Sequence, residues 1–222
     1  MKFLLTSAGI KNTSINDALL ELLGKPISEA SALCIPTAGY AKPEGIRRAY
    51  PFIAGLEPRC PMTELGWKSM GVLELTALPT LGEEQWVPEV QETDVLLVNG
   101  GDALYLSYWM RESGFADLMA SLDQTLYVGL SAGSMVMTPS IGVDFVGWQQ
   151  PSGGDEALAA VDFSIFPHLD HPDLPGNTMA DAEEWAATVP QPAYAIDDET
   201  AIKVVGETVE VVSEGHWKLF NV

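Results

Sequence analysis

The chain has 222 residues, 47% of them hydrophobic, which suffices for one sizeable core and favours a single domain over 1–222. With 11 Lys and Arg against 31 Asp and Glu, the formal net charge is −20, which argues against nucleic acid and anionic membranes as partners. No window approaches the ~18 apolar residues of a membrane span.

KFLLTS (2–7) reads as a first strand; it is too brief for a signal peptide, so the expected compartment is the cytoplasm. SINDALLELLG (14–24) has the pattern of a helix, with Asn12 or Ser14 as its cap and Gly24 as its stop. SALCIPTA (31–38) is a second strand, and KPEGIRRAYPFIAGL (42–56) is helical with a break or start at Pro51. Cys34 and Cys60 are expected as free thiols, because two cysteines in a cytosolic chain do not make a disulfide framework. The spacing then predicts a third strand at GVLELTAL (71–78) and a short helix or turn interrupted by Pro88. TDVLLVNGG (93–101) is a fourth strand, followed by helices over ALYLSYWMRESG and FADLMASLDQ. TLYVGL (125–130) is a fifth strand running into SAGSMVM. Residues 142–160 read as a long loop, a candidate lid. VDFSIF leads into a His-rich loop, TMADAEEWAATV is a helix, and KVVGETVEVV is a hairpin about Gly206 and Glu207.

These strands are continuously apolar rather than alternating, the pattern of a parallel sheet covered on both faces. Strand–helix alternation predicts an α/β fold, doubly wound, with a mostly parallel sheet and a C-terminal β-hairpin. Ligands in such folds gather at the carboxyl ends of the strands, where NGGD and GLSAG both lie.

Gly129-Leu130-Ser131-Ala132-Gly133 is a G-x-S-x-G motif between a strand and a helix. By chance it arises in about one chain in ten of this length. Ser131 therefore either caps the following helix or acts as a nucleophile. A serine nucleophile needs a base. Of three histidines, His216 near the end reads as an exposed or packing residue, whereas His168 and His171 lie where a strand stops. His168 is the nearer to the strand. One of Asp197, Asp198 and Glu199, at the end of another apolar run, is available to orient an imidazole. The amide of Ala132 and, through the VNGGD turn, that of Gly101 are candidate oxyanion donors.

The order NGGDALYL, YVGLSAGS, FPHLDH and AIDDETAI resembles the peptidase E family of serine peptidases, which includes aspartyl dipeptidases and, more distantly, cyanophycinases. The resemblance spans most of the chain. It implies a class I glutamine amidotransferase-like fold, with Ser131 as nucleophile, His168 as base and Asp198 where some relatives carry Glu. Gly101 and Ala132 match the oxyanion donors. The order Ser, His, acid differs from the Ser, acid, His of α/β-hydrolases. Where aspartyl dipeptidases have GGN this chain has GGD, and Asp102 is a candidate partner for a substrate α-amino group. The segment DLPGNTMADAEEWAAT after His168 lacks the Arg that would pair an N-terminal Asp side chain, so strict Asp specificity is not expected. The leading expectation is an exopeptidase acting on di- and tripeptides without metal or cofactor, its oligomeric state open. A metal-assisted hydrolase using His168, His171 and Asp170 or Asp173 is the second reading, and a non-catalytic binding module the third.

Overall fold

A computed structural model describes residues 1–56 and 61–222; Cys60 lies outside the described residues. Seven strands form the main sheet: β1 (Lys2–Thr6), β2 (Ser31–Ile35), β3 (Ser69–Val72), β4 (Val95–Val98), β5 (Leu126–Leu130), β8 (Thr200–Val205) and β9 (Thr208–Ser213), in the order β3-β2-β4-β5-β1-β8-β9. The five from β3 to β1 run parallel, and β8 and β9 close that side antiparallel. A second sheet, which the strand pattern did not separate, holds β6 (Ser164–Phe166) and β7 (Ala193–Ile196) in parallel, with β10 (Trp217–Phe220) antiparallel to β7.

Successive strand residues feed opposite cores, as the two-residue period requires. Phe3 and Leu5 pack on one face with Trp86, Leu104 and Met110; Leu4 packs on the other with Leu19, Leu22 and Phe52. Helices therefore cover both faces: α1 (Thr13–Leu23) and α2 (Gly45–Ile53) on one, α3 (Glu83–Gln91) and α4 (Ala103–Glu112) on the other. Asn12 caps α1 by accepting from the Ile15 amide, and Gly24 ends it in the left-handed conformation. A third cluster seats α7 (Met179–Ala186), with Trp185 at its centre, on the second sheet.

The hairpin between β8 and β9 turns through Gly206 and Glu207, with Val205 opposite Thr208. Gly206 supplies the positive φ of 59° that such a two-residue turn uses. The third strand is shorter and earlier than its sequence predicts. Beyond Val72 the Glu74 carboxylate accepts hydrogen bonds from the hydroxyls of Thr37 and Thr76 and from the Thr76 amide. These bonds turn the chain and drop Leu73 and Leu75 into the core. Pro88 does not interrupt α3, because Glu92 still donates to the Pro88 carbonyl and only one helical amide is forgone. Among the described residues no helix is long and apolar enough to cross a membrane.

Candidate active site

The ends of β4, β5 and β1 meet, and Ser131 stands there between β5 and the short helix α6 (Ala132–Met135). Its backbone has φ 50° and ψ −112°, a strained conformation for a residue with a Cβ. Packing holds it there. A Cβ on Gly129 would lie 2.5 Å from the Gly133 carbonyl oxygen, and one on Gly133 would lie 2.4 Å from that of Val98. Both glycines of the motif are thus demanded by backbone in contact with backbone. The Ser131 amide donates to the Thr6 carbonyl at 3.0 Å, and the Ser134 hydroxyl donates to the same carbonyl at 2.8 Å. Ser131 Oγ makes no capping bond to the helix; it faces His168 Nε2 at 2.9 Å.

His168 follows β6 with φ 58°. Its Nδ1 lies 2.7 Å from Asp198 Oδ1, and its amide donates to Ser7 Oγ at 2.8 Å. Asp198 stands on the turn between β7 and β8 and also accepts from the Ser7 hydroxyl at 3.0 Å. On its far side His171 Nε2 approaches Oδ2 at 3.6 Å. Burial pushes the Asp198 carboxyl up, but the hydrogen bond and charge of His168, together with Ser7 and His171, hold it below the ordinary carboxylate value. Asp197, the alternative acid, faces away: it accepts from the Thr200 hydroxyl and from the Glu199 and His216 amides. Glu199 instead accepts from the Asn12 side chain.

His216 is not a plain exposed residue. Its Nε2 lies 2.9 Å from Asp170 and its Nδ1 2.9 Å from Asp197, so it links the loop after His168 to the turn carrying Asp198. The signal missed in the sequence is that the last strand returns beside both turns, a placement only the second sheet reveals.

A cavity of about 400 Å³ opens above Ser131 and His168, within the size range of small-ligand sites. Gly100 and Gly101 form one side; Lys42, Arg48 and Phe52 another; His171, Asp173 and Leu174 a third. Gly101 has φ 146°, and a Cβ there would lie 2.1 Å from the Ala38 carbonyl oxygen. The amides of Gly101 and Ala132 have no acceptor among the described residues. Among the described residues, two cations thus line the cavity from residues 42–48, not from the segment after His168. They fill part of the gap in charge noted in the sequence.

Asp102 needs correction as a candidate for binding a substrate amine. It is 3% exposed and lines no part of this cavity. Its Oδ1 caps α4 by accepting from the Leu104 and Tyr105 amides, and its Oδ2 accepts from the Trp148 amide at 2.8 Å. Lys42 Nζ, 3.7 Å away, neutralises it. Asp102 thereby also ties down the 142–160 loop, whose Trp148 packs on Tyr105 and Tyr108 of α4. No residue of that loop lines the cavity, so it does not lie over the site as a lid.

The metal reading finds no ligand set. Both ring nitrogens of His168 are engaged, His171 Nδ1 accepts from the Asp173 amide, and no group of three or more His, Cys, Asp and Glu is placed to hold an ion among the described residues. Burial pushes the Cys34 thiol up to about 11, so it packs as an apolar group rather than a nucleophile.

Residues 3–212 match the model of peptidase family S51. No curated protein matches the chain. Among solved structures, one described as a peptidase E protein from Listeria monocytogenes EGD-e superposes with a TM-score of 0.65 at 21% identity, covering 96% of this chain and 98% of the other. A peptidase from an acI-B1 Actinobacterium gives a TM-score of 0.65 at 18% identity, covering 97% of this chain and 88% of that one. At these identities the likeness is one of fold.

Proposed function

The chain belongs to peptidase family S51 and is a serine-type peptidase, and from that premise we propose that it is an exopeptidase for di- and tripeptides working through Ser131, His168 and Asp198. The observation that carries this reading is the 2.9 Å contact between Ser131 Oγ and His168 Nε2, made by a serine held in a strained turn. Ser131 then stands on a nucleophile elbow rather than at a helix cap.

Asp198 accepts the Nδ1 proton of His168, which leaves the Nε2 lone pair facing the hydroxyl. Ser131 Oγ attacks the scissile carbonyl while Nε2 takes its proton. The amides of Gly101 and Ala132, which have no acceptor among the described residues, receive the oxyanion. His168 next gives the proton to the departing amine, and water attacks the acyl-enzyme by the same exchange in reverse. No cofactor is needed for any step. One domain over 1–222 suffices, because β1, β4, β5 and the two turns after β6 and β7 all supply parts of the site.

The cavity suits a short, charged peptide. Arg48 provides countercharge for a substrate carboxylate, while Lys42 is held by Asp102, and this makes acidic peptides acceptable despite the missing arginines. Profiling a di- and tripeptide library against wild type and Ser131→Ala tests the reading. Wild type should cleave after the first residue, and the variant should lose at least about 10³-fold in kcat/KM. Full activity in Ser131→Ala overturns it.

A further inference from the structure

Ser7 belongs to no motif, yet it is fully buried and touches both the base and the acid. It follows the last residue of β1, the strand lying between β5, which delivers Ser131, and β8, which follows the Asp198 turn. Its own amide donates to the Thr200 carbonyl, fixing it to the start of β8.

We propose that Ser7 is a positioning residue that sets both the backbone of His168 and the orientation of Asp198, the group that fixes the tautomer of the ring. This rests on the Ser131–His168–Asp198 reading above. The hydroxyl has one proton and two lone pairs. The proton goes to Asp198 Oδ1 at 3.0 Å, since a carboxylate is a stronger acceptor than an imidazole nitrogen 3.4 Å away. A lone pair accepts the His168 amide at 2.8 Å. Two consequences follow. Asp198 Oδ1, oriented by the Ser7 hydroxyl, accepts the Nδ1 proton at 2.7 Å, and Nε2 faces Ser131 as an acceptor. The left-handed backbone of His168 is also pinned by its amide, which holds the ring where Nε2 meets Oγ.

Without the hydroxyl, the His168 amide loses its partner and Asp198 loses a donor. Only chemistry should suffer, because Ser7 does not line the cavity. Ser7→Ala should lower kcat by about 10- to 100-fold with KM within about twofold. It should slow labelling of Ser131 by a fluorophosphonate in proportion. Ser7→Thr, which keeps the hydroxyl, should recover most of both rates. Thermal melts confirm that each variant is folded. If Ser7→Ala does not fold, Ser7→Cys, of similar size but a weak donor, should show the same loss in kcat. A folded Ser7→Ala or Ser7→Cys with wild-type kcat overturns the inference, as does a loss confined to KM. Should Ser131→Ala retain turnover, the triad reading itself fails, and the two failures are therefore told apart.

Discussion

Ser131 sits on a turn shaped by backbone packed on backbone, whereas His168 and Asp198 sit on turns held by side chains. On the serine side, Gly129, Gly133 and the Thr6 carbonyl leave one backbone path. Around His168 and Asp198, Ser7 and His216 reach across from other elements, while Asn177 and Asp197 brace the two loops from within. Asn177, for example, donates to the Pro167 carbonyl, just before His168. For Ser131, the proposed nucleophile, steric exclusion leaves one direction of attack. The base proposed for it, His168, is held instead by hydrogen bonds, which fix its ring relative to both partners.

That contrast predicts different failures on the two sides. The largest is expected at Gly129→Ala, where the new methyl meets the Gly133 carbonyl. Urea unfolding should reveal a loss of about 3 kcal/mol or more, and activity should fall with the folded fraction. Wild-type stability in that variant would mean the turn is not sterically fixed.

Asp198→Asn comes next and should behave in the opposite way, folding normally while kcat drops by about 10²- to 10⁴-fold. The pH dependence of stability supplies a second check. The folded Asp198 carboxyl lies below its ordinary value of 3.8. Its contribution to stability is therefore complete above that value and is lost as the pH falls through the lower folded one. The Asn variant should lack this part of the acid decline. An unchanged decline below about pH 4 would count against the ion pair.

His216→Ala should have the smallest effect. Its ring is 54% exposed between two carboxylates, and exposed pairs are weak, so kcat should change by less than about fivefold. A much larger loss would mean that the base and acid loops depend on this outer link more than on Ser7.

The parallel sheet, its two covered faces and the terminal hairpin were legible because they follow from apolar runs and turn residues, which are local signals. Ser131, His168 and the acid cluster were legible because each lies where an apolar run stops. What the sequence hid depends on contact at a distance. Asp102 looks like any site acid in VNGGD, and its burial under Trp148 comes from a loop 46 residues away. Lys42, just before α2, and Arg48, on α2, line the cavity opposite the Gly100–Gly101 turn, which no pattern near His168 announces. Ser7 looks like an ordinary turn serine after a first strand. The choice between Asp197 and Asp198 turned on which carboxylate His216 and Thr200 occupy.

The most direct measurement is labelling with a fluorophosphonate followed by intact mass and peptide mapping. A single adduct on Ser131, absent in Ser131→Ala and slowed in His168→Ala, is the predicted result. Folded wild-type protein that takes up no adduct, or takes it up elsewhere at the same rate in Ser131→Ala, would contradict Ser131 as the nucleophile.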